Sequence, residues 1–214
     1  PPMAYKNLGE FIHELEQQNE LVRIPVEVDP ELEITEIANR VMKSEGGGKA
    51  LLFEKVKDSE LPLLINALGS QARMCRGLGV RDFREIADRL EALLQPQIPA
   101  SFLEKVKKIP DLVQLANFTP KTVKSAPCQE IILRGEQASL DILPILKCWP
   151  LDGGRYFTFA GVYTKDIETG RRNVGMYRVQ KLTAQTCAMH WQVHHDGAAH
   201  CRGYEKQQQK MPIA

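Results

Sequence analysis

The sequence predicts a mixed α/β (α+β) protein whose first half alternates helices with strands and whose second half is rich in strands. Apolar residues recur at helical spacing near the N-terminus and are followed by a β-branched run, the alternation typical of an α/β layer. After Pro120 the pattern changes to aromatic and β-branched runs separated by turn residues, which favour antiparallel strands. We therefore expect one domain over residues 1–118 and a second over residues 119–214.

The composition is that of an ordinary folded protein. Of the 214 residues, 43% are hydrophobic, and 28 Lys and Arg residues nearly balance 27 Asp and Glu residues for a net charge of +1. A nucleic-acid-binding protein would carry a concentrated basic surplus, so nucleic acid is not an expected partner. No run approaches the roughly 18 apolar residues of a membrane helix, and five cysteines without a CxxC pair suit a reducing compartment. We expect a cytoplasmic protein.

The first predicted elements are helix, strand and helix. The first helix is predicted over residues 7–18, where the apolar residues share one face. Residues 21–28 read as a strand, and Pro25 would place it at a sheet edge or bulge. Asp29 and Pro30 form a helix-start signal, because Asp can accept bonds from free N–H groups and Pro fits the first helical position. The buried face of this second helix is predicted to comprise Ile34, Ile37 and Val41.

Glycine-rich segments separate the remaining elements of the first half. Gly46-Gly47-Gly48 lies after a helix and before a strand, the reverse of a phosphate-binding loop, and no GK[ST] follows, which favours a simple turn. Arg76-Gly77-Leu78-Gly79 lacks the third glycine of a dinucleotide-binding loop and predicts only a loop before a helix. The remaining predicted elements are strands over residues 50–53 and 63–66 and helices over residues 82–94, 102–108 and 111–117.

The second half predicts antiparallel strands joined by short turns. Asp166, Thr169 and Gly170 supply hairpin-turn chemistry between two of the predicted strands. This pattern suggests a sheet or a barrel, unlike the first half. The predicted strands cover residues 130–134, 156–164, 173–180 and 186–193.

Four of the five histidines lie within eleven residues, which indicates a site more strongly than scattered histidines would. They are His190, His194, His195 and His200. On a strand, His190 and His194 would share a face and His195 would point the other way. The spacing is not the HExxH of a zinc helix. Together with Asn173 on the neighbouring strand, these donors suit Mn²⁺ or Mg²⁺ better than structural zinc.

Arg178 is the remaining candidate for ligand binding. It lies five residues beyond Asn173, so an undistorted strand would place the two side chains on opposite faces. A bulge, or a site that wraps the strand end, would bring both to one ligand. The pattern alone leaves a surface arginine and a binding arginine equally open.

The chain is similar to a known family along nearly its whole length. The segments that carry the similarity are Val-Asp-Pro-Glu-Leu-Glu-Ile-Thr-Glu-Ile-Ala within residues 21–38, Ala50-Leu51-Leu52-Phe53-Glu54, Ala126-Pro127-Cys128-Gln129 and residues 143–150. The most specific piece is residues 162–178, which end in Asn-Val-Gly-Met-Tyr-Arg, followed by His190-Trp191-Gln192. With these segments the chain resembles the UbiD family of reversible, non-oxidative decarboxylases of aromatic and α,β-unsaturated acids.

The resemblance implies a split β-barrel domain that binds prenylated FMN, of which this chain holds the first part. In the family this flavin is the electron sink as CO₂ leaves. A divalent metal, usually Mn²⁺ and often with K⁺ nearby, bridges the protein and the cofactor phosphate. Asn173 and His194 match the metal ligands, and Arg178 matches the arginine that holds the substrate carboxylate. The positions that match cofactor-contacting residues are Thr158, Met176, Tyr177, Arg178, His190, Trp191, Gln192, His195 and Asp196.

Family members are much longer than this chain, so the resemblance implies the N-terminal portion of such an enzyme. The third metal ligand, the proton-donating acid and the dimerising domain lie beyond Ala214 in the family. We expect a homo-oligomer for the full-length enzyme, and little turnover and an open, self-associating sheet edge for this portion alone.

The expected substrate is a small aromatic acid, with 4-hydroxybenzoate of the ubiquinone or menaquinone pathway as the first candidate. A lipophilic tail on such a substrate would bring the enzyme to a membrane surface. Two alternatives stay open: a non-catalytic flavin-binding module, and a subunit that completes its site with a partner chain.

Overall fold

The computed structural model describes residues 5–94 and 122–214 and divides the chain into two compact units. The first unit comprises residues 1–22, 45–50 and 66–134, and the second comprises residues 23–44, 51–65 and 135–214. The helices predicted over residues 102–108 and 111–117 lie outside the described residues. Within the described ranges, no helix is both long enough and apolar enough to cross a membrane.

The described ranges contain five α-helices and eight β-strands. The helices are α1 (Leu8–Gln17), α2 (Glu33–Met42), α3 (Gln71–Gly77), α4 (Arg84–Leu94) and α5 (Asp196–Lys206). The strands are β1 (Leu21–Val28), β2 (Ala50–Val56), β3 (Leu63–Ile65), β4 (Tyr156–Phe157), β5 (Gly161–Lys165), β6 (Arg172–Met176), β7 (Val179–Lys181) and β8 (Cys187–Met189). This mixture of helix and sheet confirms the predicted fold class.

The first unit is built around α1 and α3. Helix α1 begins after Asn7, whose side chain accepts a hydrogen bond from the backbone N–H of Glu10, and it buries Phe11 and Leu15. The prediction of a helix over residues 7–18 is therefore confirmed. Helix α3 was not predicted, because its seven residues are too few to show an apolar repeat. The glycine loop predicted over residues 76–79 was right only in part, since Arg76 and Gly77 close α3 and the turn before the next helix follows them.

A three-stranded sheet in the order β1-β2-β3 carries the main core of the second unit. Strand β1 lies at the sheet edge, as Pro25 predicted, because proline offers no N–H to a second neighbour. Strands β2 and β3 pair antiparallel, with Leu51 opposite Ile65. The core contains Val28, Ile34, Ala38, Leu51, Phe53, Val56 and Leu146.

Helix α2 starts later than its sequence signal predicted. Asp29 accepts a hydrogen bond from the N–H of Glu31 at 2.8 Å and therefore closes a turn, while the helix begins at Glu33. The competing partner is distant in sequence. Lys147 donates its N–H to the carbonyl of Pro30 and accepts from the N–H of Leu32, which makes a parallel β-bridge with Glu31 directly before the helix.

Two further sheets lie in the second half of the chain: β4-β7-β8, and the hairpin β5-β6. The predicted strand over residues 130–134 was wrong. The segment lies between two short 3₁₀ turns and exposes Ile131 and Ile132, since no strand among the described residues pairs with it. The predicted strands over residues 156–164 and 173–180 are each split in two, because the chain changes from one sheet to the other at both places.

Candidate functional site

Four of the residues matched to the family's site gather around the ring of Tyr177, at the point where the chain leaves β6. Tyr177 is buried, and its ring meets Trp191 edge to face with 4.8 Å between ring centroids. The ring of His195 lies 6.1 Å away in a similar orientation. Asn173, on β6, donates its side-chain N–H to the Tyr177 hydroxyl at 3.3 Å. Four of the predicted residues therefore form one cluster.

The amide of Asn173 is oriented by this contact. Its nitrogen end faces Tyr177, so this contact does not use its oxygen, the atom that a metal would need. The Tyr177 hydroxyl also accepts a hydrogen bond from the backbone N–H of Gly197 at 3.1 Å. With two hydrogen bonds accepted, the phenol is held between β6 and the first turn of α5.

Gly197 allows α5 to approach this cluster closely. A Cβ atom at this position would lie 2.3 Å from the Trp191 ring and 2.7 Å from the Tyr177 hydroxyl, both far inside contact distance. Only glycine leaves the backbone N–H of the helix start within bonding distance of the phenol. Sequence reasoning missed Gly197, although its place directly after the predicted His195-Asp196 pair was a usable signal.

The histidines do not alternate along a strand, and the prediction that His190 and His194 share a face was wrong. Strand β8 ends at Met189, and the chain then turns until His195 occupies the position that precedes α5. The backbone N–H of His195 donates to the carbonyl of Gln192, which closes this turn. His194 is exposed in the same turn.

His200 belongs to a different contact. Its Nδ1 lies 2.9 Å from the hydroxyl of Thr164, with both residues buried, and its Nε2 lies 3.9 Å from a carboxylate oxygen of Asp166. The hydrogen bond with Thr164 joins α5 to the β5-β6 hairpin. His200 therefore serves to fix the helix that carries the start of the site.

Arg178 follows Tyr177 directly but points to a second cluster. Its guanidinium carbon lies 3.8 Å above the centre of the Tyr156 ring, and one terminal nitrogen lies 3.3 Å from a carboxylate oxygen of Asp152. Its backbone carbonyl accepts the N–H of His190 at 3.1 Å, which ties it to the residues after β8. Asn173 and Arg178 were expected to lie on opposite faces of one strand. They do not share a strand, because β6 ends at Met176 and β7 starts in another sheet at Val179.

Asp152 and Tyr156 are the other residues that sequence reasoning missed. Both lie far from Arg178 in the chain, so no local spacing links them to it. The remaining predicted residues lie on the exposed surface around these clusters. Thr158 lies between β4 and β5, Met176 ends β6, and Gln192 and Asp196 flank the turn before α5.

The donor set fits a divalent metal only in part. An amide oxygen from Asn173 and an imidazole nitrogen from His194 are the donor types that suit Mn²⁺. Within the part of the chain that the structure describes, no group of three or more His, Cys, Asp or Glu side chains could hold a metal ion. A metal here would therefore take further ligands from outside this set, such as a phosphate.

Comparison with known families gives a clear result. Residues 12–93 match the model of the N-terminal domain of 3-octaprenyl-4-hydroxybenzoate carboxy-lyase, and residues 121–214 match its Rift-related domain. The chain therefore belongs to the UbiD family of decarboxylases.

Individual relatives agree with this assignment. An uncharacterized protein of Aquifex aeolicus is 47% identical over 210 residues, which cover 98% of this chain and 43% of the relative. The vanillic acid decarboxylase of Sedimentibacter hydroxybenzoicus, in its closed form, is 27% identical with a TM-score of 0.76 over 98% of this chain and 42% of that one. The chain thus spans less than half the length of these relatives.

A further solved structure shares the fold. An evolved dimeric form of the UbiD-class enzyme HmfF from Pelotomaculum thermopropionicum, in complex with prFMN, has a TM-score of 0.77 at 23% identity. The likeness covers 98% of this chain and 43% of that chain. At this identity the match shows the fold alone.

Proposed function

We propose that this chain supplies the cofactor-binding and substrate-binding part of a decarboxylase that uses prenylated FMN to release CO₂ from an aromatic or α,β-unsaturated acid. One observation carries the proposal. Arg178 directly follows Tyr177 where the chain changes from one sheet to the other, so the Asn173 cluster and the guanidinium over the Tyr156 ring start from neighbouring residues. In this proposal the Asn173 cluster takes the cofactor and the metal. Arg178, the next residue after Tyr177, takes the substrate carboxylate.

The family's solved members support the cofactor. HmfF was solved with prFMN, and the Sedimentibacter enzyme acts as a vanillic acid decarboxylase. In our proposal Asn173 and His194 would hold Mn²⁺, with K⁺ as a further cation, because the dianionic phosphate of the cofactor needs cations to neutralise its charge. The residues proposed to contact the flavin are Thr158, Met176, Tyr177, Arg178, His190, Trp191, Gln192, His195 and Asp196.

Arg178 is the proposed catalytic residue of this chain. A guanidinium can hold a carboxylate by two parallel hydrogen bonds, which fixes the plane of the acid. Prenylated FMN, when bound, supplies the electron sink for the loss of CO₂. The protein's own part in this step is to orient the carboxylate through Arg178.

The proposed substrate is a small aromatic acid, and 4-hydroxybenzoate of a quinone pathway is the first candidate. A lipophilic substrate of that kind would bring the enzyme to the membrane surface. We also propose that the full-length enzyme is a homo-oligomer in the cytoplasm.

The test uses the full-length protein loaded with prenylated FMN and Mn²⁺, with CO₂ release measured over a panel of phenolic and cinnamic acids. Arg178→Lys keeps the charge but loses the paired bonds, so we expect kcat/KM to fall about a hundredfold. Arg171→Lys, at an exposed arginine of the β5-β6 turn, is the matched control and stays close to wild type.

The outcomes separate the alternatives. Turnover by Arg178→Lys at the wild-type rate would show that the carboxylate is held elsewhere. Tight flavin binding by the wild-type protein without CO₂ release from any acid would favour the non-catalytic flavin-binding module.

A further inference from the structure

The guanidinium of Arg178 is held on two sides by residues that no comparison assigns to the site. The Tyr156 ring covers one face at 3.8 Å, within the range of an attractive cation–π contact. Asp152 accepts a hydrogen bond from one terminal nitrogen at 3.3 Å. The side chain of Arg178 is nevertheless 45% exposed, while that of Asp152 is only 14% exposed. The guanidinium is therefore supported from the protein side and open on the solvent side.

Both supports are themselves fixed by backbone contacts. The second carboxylate oxygen of Asp152 accepts the N–H of Trp149 at 3.1 Å. Tyr156 donates its backbone N–H to the carbonyl of Leu146 at 2.9 Å, and it lies opposite Gln180 in the β4-β7 pair. Gln180 also donates its side-chain N–H to the carbonyl of Gly153, which closes the turn between the two supports. Hydrogen bonds to neighbouring segments thus fix both residues that contact the guanidinium.

This arrangement leaves the geometry that a carboxylate needs. A guanidinium carries five N–H groups in one plane. Within the described ranges its polar side-chain contact uses the nitrogen that faces Asp152, and its central carbon lies over the Tyr156 ring. The contacts with Asp152 and Tyr156 restrict the guanidinium, so a carboxylate that reaches its remaining N–H groups meets donors whose orientation is already limited.

We propose that Tyr156 and Asp152 are positioning residues that hold Arg178 in the orientation that receives the substrate carboxylate. The inference rests on the proposed function and adds two residues to it. Neither residue touches the carboxylate; each acts through the guanidinium. An unsupported arginine of this exposure would sample several rotamers and bind the acid with a larger loss of freedom.

The test measures the binding of benzoate, as a simple aromatic carboxylate, to the full-length holoprotein by titration calorimetry. Tyr156→Leu removes the ring face, and we expect the Kd to rise about fivefold. Tyr156→Phe keeps the ring and is the matched control, so its Kd stays at the wild-type value. Asp152→Asn keeps an acceptor for the Trp149 N–H but loses the charge that orients the guanidinium, and it also weakens binding. Thermal midpoints near wild type show that the fold is kept.

Each result decides between specific possibilities. Tighter benzoate binding by Asp152→Asn would show that Asp152 competes with the ligand for the guanidinium, and it would overturn the proposal. Wild-type affinity in Tyr156→Leu would do the same. A loss of affinity in Arg178→Lys alone, with the other variants unchanged, rejects the positioning role and keeps the proposed function. No benzoate binding by wild type, or no effect of Arg178→Lys, counts against both.

A second readout does not depend on the ligand. Phenylglyoxal modifies exposed guanidinium groups, and the modified peptide that contains Arg178 can be quantified by mass spectrometry. We expect faster modification of Arg178 in Tyr156→Leu and Asp152→Asn than in wild type and Tyr156→Phe, with Arg171 as the internal reference. Equal modification rates in all four proteins would contradict the proposed support.

Discussion

Arg73 is the most deeply buried charged side chain among the described residues, and its positive charge is balanced by the carboxylate of Glu20. It is 1% exposed, and one terminal nitrogen lies 2.7 Å from a carboxylate oxygen of Glu20. Its Nε and its other terminal nitrogen are buried without a hydrogen-bond partner in the described part of the chain. A buried cation with a single anionic partner is costly to leave uncompensated.

We expect Glu20→Gln to lower the free energy of unfolding by about 3 kcal/mol, because it leaves the Arg73 charge buried and unbalanced. Denaturant unfolding of the protein measures this value. Glu54→Gln is the matched control, since Glu54 pairs with Arg23 at 2.8 Å but both side chains are exposed. That change should cost under about 1 kcal/mol. Equal losses in the two variants would show that burial of Arg73 carries no special cost.

At the residue scale, the sequence could predict which residues belong to the candidate site but not which side chains they would contact. Asn173, Tyr177, Trp191 and His195 were predicted as site residues from the family resemblance, and the structure brings them together around one ring. Whether they bind a cofactor stays a prediction. Asp152 and Tyr156 could not be predicted as supports of Arg178, because the contact depends on two chain segments that meet only in the folded sheet.

At the scale of elements, the β5-β6 hairpin shows a turn that its own residues define. Lys165 and Arg172 face each other as the last pair of the ladder. Between them, one carboxylate oxygen of Asp166 accepts hydrogen bonds from the N–H and hydroxyl of Thr169 and from the N–H of Glu168. Gly170 adopts a φ of 70°, a left-handed conformation that glycine takes without strain. The predicted turn chemistry is therefore confirmed.

The same bonds predict how the hairpin responds to acid. Hydrogen bonds from Thr169, and then from Glu168, with the nearby His200 as a weaker influence, hold the pKa of Asp166 below its ordinary value. A carboxylate with a lowered folded-state pKa contributes stability above its unfolded-state pKa and loses it as the pH falls through the folded value. The contribution is therefore complete at neutral pH and fades below about pH 4.

We expect Asp166→Asn to lower the thermal midpoint at pH 7, because the neutral amide accepts the same bonds more weakly. The gap between variant and wild type should narrow as the pH is lowered below about 4. Differential scanning calorimetry across this range measures the gap. Glu168→Gln, a change at an exposed residue of the same turn, is the control and should show a smaller gap at pH 7. A gap for Asp166→Asn that widens on acidification would contradict the assignment.

Elements defined by local residues could be predicted, while elements defined by distant partners could not. Helix α1 and the β5-β6 turn carry their own caps and turn residues. By contrast, the start of α2 was displaced by Lys147, and the segment over residues 130–134 has strand-like residues without a partner strand in the described ranges. The local preference of a segment for helix or strand does not decide its structure where tertiary contacts compete for the same backbone groups.

At the scale of the whole molecule, the second unit combines early and late parts of the chain. Its core joins Val28, Ile34 and Phe53 with Leu146, which comes from the second predicted domain. The segment that holds Leu146 bridges to Glu31 on one side and to Tyr156 on the other. The division at residue 118 stays a prediction. The mixed core nevertheless means that residues after 135 contribute to the stability of the first sheet.

Leu146→Ala tests this contribution directly. Leu146 is 9% exposed and packs in the core of the β1-β2-β3 sheet, so its truncation leaves a cavity and should lower the free energy of unfolding by about 2–3 kcal/mol. Leu151→Ala is the control, because Leu151 is 99% exposed and its loss should change stability by no more than about 0.5 kcal/mol. Denaturant unfolding measures both. If Leu146→Ala cost no more than Leu151→Ala, the first sheet would have to complete its core without the later segment, and independent folding of residues 1–118 would become the better description.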